Sequence, residues 1–261
     1  MIEYYSTLQQ MVRDNRFGVT GTIVSGHQDD CPIGSKFLID EMGQHVAGQI
    51  KPEIMTLLKE SVQDVLFVKA PKLVNLTYQN GLVKVFLDPI LPQARLLVLG
   101  GGHIAVPLVE IGKLLEFQVS VVDDRPSFAN SARFQGVSQV LCQDFETAIR
   151  EFQFDANTYI IIVTRGHRHD KICLEEVLKK PKPTYIGMIG SRRKIASLFE
   201  DLHQDGFSEE QLKSVHTPIG LDIGAQTPAE ISVSIMSEII MVRRLGYSCG
   251  LNTREGGKRN G

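Results

Sequence analysis

Three glycines and two acids carry the first chemical signal in this chain. Gly100, Gly102 and Ala105 fit the pattern G-x-G-x-x-A, with Gly101 and His103 between them. In such a pattern the first position allows a tight turn, the second lets the backbone approach a pyrophosphate, and the third lets helix pack on strand. A helix that opens after the turn aims free N–H groups and the positive end of its dipole at an anion. Asp123 stands where these folds place an acid for a ribose hydroxyl, and Asp124 and Arg125 follow it. The carboxylates can accept from hydroxyls, and the planar fork of Arg125 suits phosphate. A solvated loop with a local salt bridge is the plainer alternative.

Two further segments have the residue types for binding. Thr164-Arg165-Gly166-His167-Arg168-His169-Asp170 follows the apolar run Tyr159–Val163. Its arginines can clamp an oxyanion or phosphate, and its histidines can carry protons. His-x-His without a third fixed ligand is weak ground for a metal, and no metal site is predicted. In Gly187–Lys194, Gly190 permits close backbone approach and Ser191 is a natural N-cap. Arg192, Arg193 and Lys194 then fall in the first helical turn. Cations there oppose the helix dipole by roughly a few tenths of a kcal/mol each, and a bound anion resolves the conflict. Arg165, Arg168, Arg192 and Arg193 each follow a strand and are expected to form one electropositive rim. The loop Pro218–Gln226, with its glycines and Asp222, looks shaped for a site. His216 before it is expected to be a satisfied histidine. Cys142 and Cys173 are expected to be buried small hydrophobes. No nucleophile–base pair stands out, so the catalytic residues are unknown.

These residues need a scaffold that brings strand ends together. Leu96–Leu99, Gln118–Val122, Ser138–Leu141, Tyr159–Thr164 and Tyr185–Ile189 read as strands. Leu108–Leu115, Phe145–Phe152, Lys171–Leu178 and Arg192–Leu202 read as the helices between them. Buried strands separated by helical crossovers predict a parallel sheet covered on both faces, an α/β Rossmann-like domain over 93–249. Thr227, Pro228 and Glu230 start a last helix with a capping box, and Gly246 can end it. Residues 250–261 read as a flexible tail.

The section 1–92 reads as a smaller α+β domain. Ile2–Arg13 and the stretch from Pro52 to Val65 are predicted helices. Val19–Ser25, Lys36–Asp40, Leu73–Tyr78 and Leu82–Leu87 are predicted strands, the last two around an Asn80-Gly81 hairpin turn. Asp88–Pro92, with two prolines, reads as a stiff connector.

At 261 residues and 43% hydrophobic content the chain can bury a sizeable core. A net charge of −2 speaks against general nucleic-acid binding. No apolar run is long enough for a membrane span, and the four cysteines show no C-x-x-C spacing. A cytoplasmic protein is expected.

The ordered motifs resemble the XdhC/CoxI family, accessory proteins of xanthine dehydrogenase and related molybdenum hydroxylases. They are Gly-Gly-Gly-His, Val-Val-Asp-Asp-Arg-Pro-Ser-Phe-Ala-Asn, Thr-Arg-Gly-His-Arg-His-Asp, Tyr-Ile-Gly-Met-Ile-Gly-Ser-Arg-Arg-Lys and Pro-Ile-Gly-Leu-Asp-Ile-Gly-Ala-Gln-Thr-Pro. The likeness is close over 94–245, with Ala229 inserted between Pro228 and Glu230. It implies a chaperone that binds molybdenum cofactor (molybdopterin), protects it during sulfuration and delivers it to an apo molybdenum hydroxylase, with a cysteine desulfurase as second partner. A homodimer is left open. In the first section, Gly21–Ser25 and Ile33–Asp40 look like the family's N-terminal domain, but Gly48–Glu53 replaces its Gly-Gly-Cys-x-Glu segment. The fingerprint by itself leaves two alternatives: an NAD(P)-dependent oxidoreductase, or a nucleotide-sensing regulator without chemistry.

Overall fold

The computed structural model describes residues 2–26, 31–79, 81–155 and 157–245. Asn80 of the hairpin turn, the Gly246 helix stop and the tail fall outside them. Chain contacts divide the protein into two units, Met1–Pro92 and Gln93–Gly261.

The first unit is an antiparallel sheet with a helix on each face. Its strands are β1 (Gly18–Ser25), β2 (Lys36–Asp40), β3 (His45–Gly48), β4 (Lys72–Tyr78) and β5 (Gly81–Ile90), in the order β3-β2-β1-β5-β4. Alternation decides which side chains go where. Phe37, Ile39, Val83, Val85 and Leu87 point to helix α2 (Pro52–Val68), which buries Ile54, Leu58, Val62 and Val65 against them. Leu38 and Ile90, of opposite parity, meet Tyr4 and Met11 of α1 (Ile2–Arg13). Asp88, Pro89 and Ile90 belong to β5 and pair with Thr20, Val19 and Gly18, so they are strand and not connector. The pairing of β4 with β5 ends at Lys72 and Leu87, which leaves β5 one-sided there and able to hold a proline.

The second unit is a five-stranded sheet in which every pairing is parallel. Its strands are β6 (Arg95–Leu99), β7 (Gln118–Asp123), β8 (Gln139–Cys142), β9 (Thr158–Ile162) and β10 (Tyr185–Met188), ordered β10-β9-β6-β7-β8. Helices α3 (Ala105–Leu114) and α8 (Pro228–Leu245) cover the face of Leu96, Val98, Val121 and Ile161. Helices α4 (Phe145–Glu151), α5 (His167–Leu178) and α6 (Arg192–Gln204) cover the face of Leu97, Leu99, Ile160 and Ile162. A short α7 (Glu209–Lys213) follows. The chain leaves β6 on one side to form β7 and β8 and returns on the other to form β9 and β10. The order therefore reverses between β6 and β9, where such sheets open a crevice at their carboxyl ends. No helix among the described residues is long and apolar enough to cross a membrane.

Candidate functional site

The turn after β6 lies at this crevice, and its three glycines have different reasons to be glycine. A Cβ on Gly100, whose φ is +115°, would stand 2.4 Å from the Val163 carbonyl oxygen at the end of β9. One on Gly101 would stand 2.3 Å from the Phe128 carbonyl oxygen. One on Gly102 would meet nothing within 4 Å. The first two are required by backbone packing, whereas Gly102 borders open space. Ala105, fully buried, brings α3 onto the sheet. Among the described residues, no hydrogen bond engages the N–H of Gly102 or His103.

The acid that ends β7 supports this turn. Asp123 is 1% exposed. Its Oδ2 accepts from the Gly101 N–H at 2.8 Å and from Arg125 Nη2 at 2.9 Å; its Oδ1 accepts from Arg125 Nε at 2.8 Å and the Arg125 N–H at 3.1 Å. All four acceptor positions of the carboxylate are taken within the chain. Burial pushes the Asp123 carboxyl up, but these bonds outweigh it and hold the group below its usual value. Two of the five N–H donors of the Arg125 guanidinium are used in this way, and its plane also lies 3.6 Å from the centre of the Phe128 ring. Asp124 is gripped by Arg165, whose hydrogen bonds hold its carboxyl below the ordinary value. Arg133, which no sequence pattern singled out, donates to the carbonyls of Gly101 and Gly102.

Beyond the switch point the ends of β9 and β10 enclose a cavity of about 210 Å³. Thr164, Arg165, Gly166, His167, Gly190 and Ser191 line it, as do Asp170 and Lys194. Two helices start there, α5 after Gly166 and α6 after Ser191, and neither has a side-chain cap. Their first N–H groups and two cations make the wall attractive to an anion. Among the described lining residues the one acid is Asp170, whose Oδ1 accepts from the Thr164 hydroxyl at 2.6 Å. Burial pushes its carboxyl above the ordinary value against the lowering effects of Thr164, His167, His169 and Lys194.

The predicted rim of four arginines is not assembled at this cavity. Among its described lining residues only Arg165 is one of the four; Arg192 turns to a separate hollow of about 650 Å³ with Phe199, His203 and Leu212. Arg168 and Arg193 are exposed at the first turns of α5 and α6. The reason is helical spacing: Lys194, not its two basic neighbours, takes the cavity side of α6. Asp222 is exposed in the loop before α8 and lines neither cavity. Cys173 is buried as expected, but Cys142, at the end of the short edge strand β8, is exposed.

Beneath that loop lies a buried polar group that sequence spacing could not reveal. Glu238 of α8 accepts from the Tyr185 hydroxyl of β10 at 2.5 Å and from the Gly220 N–H at 3.0 Å. His216 lies beside them, its Nδ1 3.7 Å from Glu238 Oε1 and without a hydrogen bond, so it is buried but not satisfied. The capping box at Thr227 and Glu230 forms as the sequence predicts.

A family model described as the XdhC Rossmann domain matches residues 96–239. Among curated proteins, a probable xanthine dehydrogenase component of Bacillus subtilis is 29% identical over 170 residues, 65% of this chain and 49% of that one. The molybdenum cofactor insertion chaperone PaoD of Escherichia coli is 26% identical over 100 residues, 38% of this chain and 31% of its own length. The chain thus spans half or less of these relatives. A crystal structure described as a xanthine dehydrogenase from Bacillus halodurans has the same fold, with a TM-score of 0.54 at 19% identity over 95% of this chain and 97% of that one. The family match takes in the glycine turn, the Asp123–Arg125 segment and both walls of the cavity, and on it the chain belongs to the XdhC family.

Proposed function

We propose that this protein is a cofactor-handling chaperone, which holds an anionic pterin cofactor at the carboxyl edge of its parallel sheet and passes it to an apo molybdenum hydroxylase. The observation that carries this reading is the open glycine turn: the N–H groups of Gly102 and His103 are unengaged beside a position where no Cβ would meet a neighbour. A phosphate fits such a position, and molybdopterin carries one. The cavity between Arg165 and Lys194 offers a second place for negative charge, suited to the cofactor's other polar groups or to a nucleotide extension. The names of the B. subtilis and E. coli relatives support the same direction.

In this reading the cofactor is cargo. Its molybdenum and sulfur chemistry belongs to the cofactor itself and to a cysteine desulfurase that supplies sulfur. The chain's residues bind, orient and shield. Cys173 is unsuited to carrying sulfur, because burial pushes its thiol far above the ordinary value. A dinucleotide-dependent oxidoreductase is less well supported. Asp123, the acid at the ribose position, has no acceptor left to offer, and Asp124 is held by Arg165.

The test is mass spectrometry of small molecules that co-purify with the protein from a host making molybdenum cofactor. A pterin, lost in Gly102→Val, is the expected result. A nicotinamide dinucleotide, oxidised or reduced on addition of a substrate, would replace the chaperone reading with the enzyme.

A further inference from the structure

An anion can use the turn after β6 only while its peptide planes keep one orientation, and a single side chain grips two of those planes. Arg133 donates from Nε to the Gly101 carbonyl at 3.2 Å and from Nη2 to the Gly102 carbonyl at 3.3 Å. A trans peptide is planar, with its N–H directed opposite to its C=O. Holding the carbonyls of residues 101 and 102 on one side therefore turns the N–H groups of Gly102 and His103 to the other, the same side for both. Adjacent N–H groups with a common direction form an anion-binding concavity. Glycines would not keep that arrangement unaided, since each samples both signs of φ freely. Asp123 fixes the preceding peptide by accepting from the Gly101 N–H. Arg133 is braced in turn: its own N–H donates to Asn130 Oδ1 at 3.0 Å, and its guanidinium lies 5.5 Å from the centre of the Phe128 ring.

We infer that Arg133 is the positioning residue of the anion site, acting through the two carbonyls rather than on the anion. The inference rests on the reading that the glycine turn takes an anionic group, and it adds what makes that turn competent. Charge by itself does not meet the requirement. A lysine would keep the charge but has no rigid fork to hold two carbonyls at once.

The experiment titrates inorganic pyrophosphate into the wild type, Gly102→Val, Arg133→Lys and Arg133→Gln by calorimetry. Melting temperatures and the ¹H–¹⁵N resonances of Gly102 and His103 are recorded alongside. The wild type should bind and Gly102→Val should not. Arg133→Lys should bind about tenfold more weakly or worse, the loss expected for a bidentate charge-assisted contact, with spectral changes centred on residues 101–103 and melting nearly unchanged. Full binding by Arg133→Lys overturns the inference and leaves the anion site standing. Absence of binding by the wild type overturns both. If neither Arg133 variant folds, or if the spectral changes spread through α3 and α8, Arg133 is a structural strut and the inference fails.

Discussion

Arg165 and Asp124 form a two-bonded ion pair, Nη1 to Oδ1 at 2.5 Å and Nη2 to Oδ2 at 2.9 Å, which joins the two strands flanking β6. Both side chains are partly exposed, so the pair contributes only about 0–1 kcal/mol to stability. Its main effect is on charge. With Arg165 present, the Asp124 carboxylate is paired; without it, only Arg125 Nε, at 3.9 Å, is left to offset that negative charge against an incoming anion. Arg165→Gln should weaken pyrophosphate binding by roughly tenfold at low salt, and adding Asp124→Asn should restore part of the loss. The melting temperature should move by less than about 4 °C. Additive effects of the two substitutions in calorimetry would show that the pair does not control the crevice.

Asp170 gives a pH signature of its own. Its folded-state pKa is raised, chiefly by burial, so the folded protein holds this proton more tightly than the unfolded chain. Stability is then lost as pH rises from the ordinary carboxylate value through the folded one, and the loss persists at neutral pH. Asparagine keeps an acceptor for the Thr164 hydroxyl without the charge. Asp170→Asn should melt higher than the wild type at neutral pH, with the gain vanishing below about pH 4. A difference independent of pH would remove the buried charge as its cause.

The glycines should separate stability from binding. Gly100→Ala places a Cβ against the Val163 carbonyl at a φ of +115°, and should cost about 2 kcal/mol or more. Gly102→Val fills open space and should leave unfolding by denaturant nearly unchanged while abolishing pyrophosphate binding. Equal destabilisation by both would mean that Gly102, too, is there for packing.

Glu238 predicts the opposite pH dependence to Asp170. Burial raises its carboxyl, but the His216 ring beside it and the hydrogen bonds from Tyr185 and the Gly220 N–H together hold it below its ordinary value. That depressed pKa contributes stability above the ordinary glutamate value, lost as pH falls through the folded one. Glu238→Gln should lower stability at neutral pH and flatten the acid limb of the melting curve. An unchanged acid limb would assign acid sensitivity to other carboxylates.

What could be read from the sequence were the features repeated over many residues. Five apolar runs spaced by helices predicted a doubly covered parallel sheet, and β9, buried along its whole length, shows why the signal was strong. Short elements were lost: His45–Gly48 and Glu209–Lys213 are too brief for any periodicity to emerge. Pro89 read as a breaker because one-sided pairing is invisible in sequence. At the site, spacing singled out Asp123 but could not show that it holds Gly101 and Arg125, because those contacts are defined only in space. Arg133, in an aperiodic loop, offered no pattern to find. Asp170 stood in a motif already noted, but its burial came only with the fold.

The bond between Tyr185 and Glu238 has a consequence for synthesis on the ribosome. Tyr185 emerges with the last strand of the sheet and Gly220 with the loop beyond it, whereas the carboxylate that secures both is on α8. A growing chain can pair its five strands before that carboxylate exists outside the exit tunnel. Until it does, neither the tyrosine hydroxyl nor the loop amide has the partner it holds in the folded chain. The last strand and the loop before α8 are thus secured from α8, which is made after both.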